Sequence, residues 1–359
     1  MLLALSHKRT DRAPANYSAH QEVTDRLLAR LGLRDHEELL QYLAVDFRRV
    51  TIDYGLPDAG PDDEGYRRNM WGLRWKPVDV GAASRGDPDR PEDRASTTRT
   101  IIPFDEDTTV DDVKAHAWPH PGAVDYSGVA AQCDKYADAY ATFGAPWSPF
   151  FHEVGWLLGQ ERFFIWMHTK PEVVAAIVDG FVSYEVEVTR RFLDACGGKL
   201  DIAYFGNDFG TQRGLVVSPA HYQRFFRRPL KSFYDAAHDY GCKVMQHSCG
   251  AVRDIIPWLI EDGVDILDPV QVRAQGMRLA GLVRDFGDRL SFHGAVDTQH
   301  TLPFGAPDEV RAQVRSYLDL TRERGGYILT GSQDFIADIP DDNILVMYDE
   351  NLRDGRRCP

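Results

Sequence analysis

Residues 243–271 read KVMQHSCGAVRDIIPWLIEDGVDILDPVQ, and this stretch decides the fold. Lys243–His247 is a short apolar run of strand length. Val252–Asp262 then carries apolar residues at helical spacing, and Asp265–Asp268 is a second short apolar run. Strand, helix and strand in this order make the repeating unit of a parallel sheet with helices outside it.

The alternation continues in both directions. Further candidate strands are Ala13–Tyr17, Val45–Val50, Asp138–Phe143, Ile202–Gly206, Leu290–Gly294 and Tyr327–Thr330. Candidate helices are Pro171–Ala195, Pro219–Tyr240, with Ser218 as its N-cap, and Pro307–Glu323. The eight candidate strands fit an α/β fold, a single (β/α)8 TIM barrel spanning residues 1–359. One stretch breaks the pattern. From Asp53 to about Arg99 the chain is rich in Gly, Pro, Asp and Arg, and it makes up much of the long connection between the second and third candidate strands. It reads either as a disordered surface insertion or as a lid or ribbon near the barrel mouth, with bounds of about 53–117. Trp71-Gly72-Leu73-Arg74-Trp75 favours some ordered packing.

Composition narrows the function classes. The chain of 359 residues holds 55 acidic and 41 basic side chains, a formal net charge of -14. An acidic surface repels phosphate backbones, so no nucleic-acid partner is expected. No segment approaches the about 20 consecutive apolar residues of a membrane span. The start, MLLALSHKRTDR, puts its basic residues after a short apolar run, the reverse of a secretory signal. The expectation is a cytoplasmic protein whose cysteines, Cys133, Cys196, Cys242, Cys249 and Cys358, are thiols.

Barrel active sites lie at the C-terminal ends of the strands, and polar residues gather there in this sequence. His152 and Glu153 follow the third candidate strand; Asn207, Asp208 and Gln212 follow the fourth. His247 and Cys249 close the fifth, Asp268 and Gln271 the sixth, His293, Asp297 and Gln299 the seventh, and Ser332, Gln333 and Asp334 the eighth. His247-x-Cys249 is the sharpest signal, because residues two apart on an extended segment face the same side. An imidazole and a thiolate so placed suit zinc at about 2.0–2.3 Å, although two ligands do not make a site. The bland alternative is a structural histidine near a buried thiol. Asp208 reads as a turn cap or as a carboxylate at the site. Glu153, among Phe150, Phe151 and Trp156, reads as a carboxyl of raised pKa, a ligand, a proton donor or an arginine partner. His293 reads as a structural histidine.

Several segments together resemble the uroporphyrinogen decarboxylase superfamily: DFGTQRGLVVSPAHYQRFFRRPLK (208–231), HSCGAVRDIIPWLIEDGVDILDPVQ (247–271), LSFHGAVDTQHTLPFG (290–305) and GGYILTGSQDFIADIPDDNILVMYD (325–349). ALSHKRTDRAP (4–14) and WPHPGAVDYSG (118–128) add to the resemblance. It implies the barrel fold and divides the functional expectation. Decarboxylases of the superfamily carry an arginine-rich loop after the first strand and a Gly-His pair after the last. Here those places hold Asn16-Tyr17-Ser18-Ala19-His20 and Gly331-Ser332-Gln333. A tetrapyrrole with many carboxylates needs bidentate cationic partners, so heme-pathway decarboxylation is disfavoured.

Methyltransferases of the coenzyme M type use His-x-Cys after the fifth strand and a further Cys after the last. His247 and Cys249 match the first part, and the second falls near Ser332, which has no thiol. A carboxylate from Asp334, Asp208 or Glu153 is left to complete the site. The resemblance thus implies a methyl-transferring enzyme with Zn2+ on His247 and Cys249, Asp208 and Glu153 as catalytic candidates, and Asn16, Gln212, Asp297, Gln299 and Gln333 lining the substrate. Its methyl donor is a corrinoid, arriving on a partner protein, or another donor; its acceptor is a thiol. Two alternatives stay open: a metal-free lyase acting on a smaller carboxylated substrate, and a non-enzymatic corrinoid or tetrapyrrole binding module. The reading leaves room for a homodimer.

Overall fold

The computed structural model describes residues 1–54, 60–78 and 97–357. Its strands in chain order are β1 (Phe47–Arg49), β2 (Arg67–Arg68), β3 (Arg74–Val78), β4 (Thr97–Ile101), β5 (Ala141–Gly144), β6 (Ile202–Gly206), β7 (Lys243–His247), β8 (Ile266–Val270), β9 (Ser291–Val296) and β10 (Tyr327–Gly331). The chain divides into two compact units, residues 1–52, 126–148 and 189–359, and residues 53–125 and 149–188. The sequence suggested one body with an insertion over about 53–117.

The first unit holds a curled seven-stranded sheet in the order β1-β5-β6-β7-β8-β9-β10, with every pairing parallel. Neighbours in the sheet are consecutive among this unit's strands in sequence, as strand–helix–strand repetition requires. Strands β8, β9 and β10 are buried at every position, the pattern of parallel strands covered on both faces. The segment before β1 also joins the network. Leu329 N donates to Pro14 O at 2.8 Å, Asn16 N donates to Leu329 O at 3.0 Å, and Asp46 N donates to Ala15 O at 2.9 Å.

Helices pack on this sheet through spaced apolar residues. On Pro307–Thr321, Val310, Val314 and Leu318 recur every fourth residue and are buried, each worth about 1.5–3 kcal/mol of hydrophobic stabilisation. On Arg228–Asp239, Phe233 meets Phe205 of β6 with the rings tilted and their centroids 5.4 Å apart. The stretch read as one helix from Pro219 to Tyr240 is three joined segments, with a π-helical turn at Tyr222–Arg227. Ser218 caps its start, its hydroxyl accepting the His221 N–H at 3.2 Å.

The second unit contains the antiparallel sheet β2-β3-β4 and the helices Phe150–Leu158 and Gln160–Thr169. Its centre is aromatic. Trp71 is buried, 4.1 Å from the Phe181 ring and 5.3 Å from Tyr184, so the packing expected of the Trp71 cluster is present. Within the Asp53–Arg99 stretch, residues 55–59 and 79–96 lie outside the described residues.

Candidate metal centre

Strand β7 ends at His247, and the next turn carries Cys249 beside it. His247 Nε2 lies 3.3 Å from Cys249 Sγ. The loop after β6 brings Asp208 to the same place: its Oδ1 lies 3.3 Å from His247 Nε2 and accepts the backbone N–H of Cys249 at 2.8 Å. One ligand atom from each residue lies within 4.8 Å of the other two. Ligands bonded to zinc at about 2.0–2.3 Å in a tetrahedron stand roughly 3.3–3.8 Å apart. The donor types suit zinc, and the two spacings from His247 Nε2 fall in that range, so these three residues could hold such an ion. Of the three carboxylates considered as a completing ligand, Asp208 is the one grouped with His247 and Cys249.

Behind the histidine stands Asp268 on β8. Its Oδ2 lies 2.7 Å from His247 Nδ1 and accepts the Tyr204 hydroxyl at 2.6 Å, and its Oδ1 lies 2.5 Å from His293 Nδ1. A histidine whose far nitrogen is held by a carboxylate is the usual support of a metal ligand. Burial opposes the charge of Asp268, but the His293 and His247 rings outweigh it and hold the carboxyl below its ordinary range. Burial also opposes protonation of His247, yet the bonds to Asp208, Asp268 and Cys249 raise its pKa well above the imidazole value. A metal ion bound there would have to displace a proton from the ring. Tyr204 is pushed far up by burial and then by Asp268, so it remains a donor.

These groups line a cavity of about 650 Å³. Trp147 forms part of its wall, with its ring 5.1 Å from that of His247 and 5.0 Å from that of Tyr204. Gly206 makes room for it, since a β-carbon at that position would stand 2.1 Å from the Trp147 ring. Arg49, at the end of β1, lines the cavity too. Among the described residues no carboxylate pairs with it, whereas its neighbour Arg48 is buried and paired with Glu37 at 2.8 Å.

The other expected site residues divide. Asn16 and Gln333 line the cavity, and Gln333 Nε2 donates to Cys249 Sγ at 3.3 Å. Asn16 is buried and turned toward His293, its Nδ2 3.0 Å from Nε2. Asp297 is buried but faces a second recess, where it binds Arg273 Nε at 2.7 Å. Gln299 and Gln212 are exposed and outside the cavity lining. Glu153 lies on the helix Phe150–Leu158 of the second unit, and its carboxyl is pushed up to about 7 by burial, with His152 opposing. Tyr204, Trp147 and Arg49 escaped the sequence reading. Alternation within Ile202–Gly206 was the available signal for Tyr204, which shares a face with Ile202 and Gly206.

Comparisons with known proteins bear on the fold. Among solved structures, a methyltransferase from Methanosarcina mazei superimposes with a TM-score of 0.60 over 98% of this chain and 97% of its own, at 15% identity. At that identity the likeness speaks for the fold alone. The apo crystal structure of a 3-keto-D-glucoside 4-epimerase from E. coli reaches a TM-score of 0.35 over 72% of this chain and 97% of its own, at 12% identity, too low to carry an argument. No curated protein matches the sequence. The family model for uroporphyrinogen decarboxylase (URO-D) matches residues 127–351, more than half of the chain. The chain belongs to the uroporphyrinogen decarboxylase family.

Proposed function

We propose that the chain is a zinc-dependent, methyltransferase-like enzyme that moves a methyl group between a corrinoid or other donor and a thiol-type acceptor. The observation that carries this reading is the convergence of Asp208, His247 and Cys249 on one point of the cavity. Zinc bound there would lower the pKa of an acceptor thiol and hold its thiolate. The acceptor's sulfur would form the new bond to the methyl carbon while the carbon–donor bond breaks and its electron pair leaves with the donor. The thiol proton goes to solvent. Trp147 limits water at the reacting atoms, and Arg49 suits an anionic group on the substrate.

The same reading takes Pro14–Asn16 as part of an eighth strand closing the sheet into a (β/α)8 barrel, supported by its bonds to Leu329 and Asp46. The partners it requires are a small-molecule substrate and, where a corrinoid is the donor, a corrinoid-carrying protein in the cytoplasm. A second reading, a metal-free decarboxylase of a smaller carboxylated substrate, is favoured by family membership and by Arg49. The test is methyl transfer from methylcobalamin to small thiols, with and without a chelator. The proposal expects turnover that the chelator and Cys249→Ala both abolish. Failure to transfer methyl groups, with carboxylate loss that persists in chelator, would replace it with the second reading.

A further inference from the structure

His293 reads from sequence as a structural histidine, but its bonds give it a specific task. The Asn16 amide has one orientation available, because its Oδ1 accepts the backbone N–H of Tyr17 at 2.9 Å. Its NH2 group therefore faces His293 Nε2, at 3.0 Å. An amide NH2 only donates, so Nε2 must accept and the proton of His293 must sit on Nδ1. From there it is given to Asp268 Oδ1, 2.5 Å away. Asp268 thus stays a carboxylate, with Oδ2 left for the Tyr204 hydroxyl and for His247 Nδ1. His247 in turn donates from Nδ1, so that once the Nε2 proton is given up the lone pair left there faces the point shared with Cys249 and Asp208.

We infer that Asn16, His293 and Asp268 form a positioning relay that fixes the tautomer of His247 in its metal-binding form. The inference rests on the zinc reading of the site for its purpose, though not for the proton positions. None of the three supplies one of the grouped ligand atoms. A wrong choice anywhere along the line would place a proton on the nitrogen that must bind the ion. Asn16, expected to bind substrate, lines the cavity, and the relay gives it a positioning role there.

The test has two arms. Long-range 1H–15N NMR on histidine-labelled protein, with the His293→Gln variant for assignment, reads the ring protons of His293 in metal-free and zinc-treated protein. The expected result is a proton on Nδ1 and none on Nε2. In Asn16→Asp a carboxylate replaces the donor, and the Nε2 position should become protonated. Zinc affinity by competition with a chromophoric chelator should fall on the order of 10–100-fold in Asp268→Asn and about tenfold in Asn16→Asp, and the cobalt(II) spectrum of both should change. Melting of the metal-free variants separates this effect from loss of fold, and Asn16→Asp carries the test if Asp268→Asn does not fold. A wild-type proton on Nε2 of His293, or unchanged zinc affinity in folded Asp268→Asn, overturns the relay. If the wild type binds no zinc, the functional reading fails, and the NMR arm still decides the relay.

Discussion

Asp208 Oδ1 accepts the backbone N–H of Cys249 at 2.8 Å while standing 3.3 Å from His247 Nε2. One carboxylate thus shapes the Cys249 turn and offers itself as a ligand, and the two roles can be separated. Asp208→Asn keeps an oxygen able to accept the Cys249 N–H but removes the charge that a metal prefers. We expect melting of the metal-free protein to be nearly unchanged, and zinc affinity to drop at least tenfold, on the order of 1.4 kcal/mol. Unchanged affinity in a chelator competition would remove Asp208 from the ligand set.

Arg49 lines the cavity without a carboxylate partner among the described residues. An anion that pairs with it should stabilise the folded state by mass action. Added sulfate or malonate should raise the melting temperature of the wild type by about 1–3 °C more than that of Arg49→Met. Equal shifts in the two proteins would show that Arg49 does not receive the anion.

Gly206 leaves the space that Trp147 fills. Gly206→Ala forces the indole to move, at a cost of about 1–3 kcal/mol for overpacking. Urea unfolding should report that loss, and tryptophan emission should shift as the ring is displaced. Wild-type stability and emission would mean that the wall is softer than the packing implies.

Glu153 gives a pH-dependent prediction. Burial raises its folded-state pKa from 4.5 to about 7, so the folded chain holds a proton that the unfolded chain releases. The stabilisation is fully present below about pH 4.5 and is lost as the pH climbs through 7. Glu153→Gln mimics the protonated form. It should match the wild type near pH 4 and be more stable at pH 8 by about 2–3 kcal/mol. Parallel stability curves for the two proteins across this range would contradict the burial of the carboxyl.

Much of the sheet was legible because its strands are short apolar runs. β6 and β7 coincide with the residues read from sequence, Ile202–Gly206 and Lys243–His247. β1 was harder, since Arg48 reads as polar, yet it is buried against Glu37 with its guanidinium 3.6 Å from the Tyr140 ring centre. Ala13–Tyr17 forms only an isolated bridge at Ala15; Pro14 has no N–H to continue a ladder. Strands β3 and β4 were missed: RWKPV and TTRTI have little apolar alternation, and Pro77 argues against a strand interior. At the site, His247-x-Cys249 was visible because the two residues are close in sequence. The choice of Asp208 as their companion was not, nor was the meeting of His247, His293 and Tyr204 on Asp268. Those contacts join separate strands, and only the folded sheet brings them together.

The central claim is that Asp208, His247 and Cys249 hold a zinc ion. The most direct measurement is the metal content of freshly purified protein, by inductively coupled plasma mass spectrometry, beside the Cys249→Ala variant. The account predicts close to one zinc per chain in the wild type and almost none in the variant. A metal-free wild type that also fails to bind added zinc tightly would contradict it.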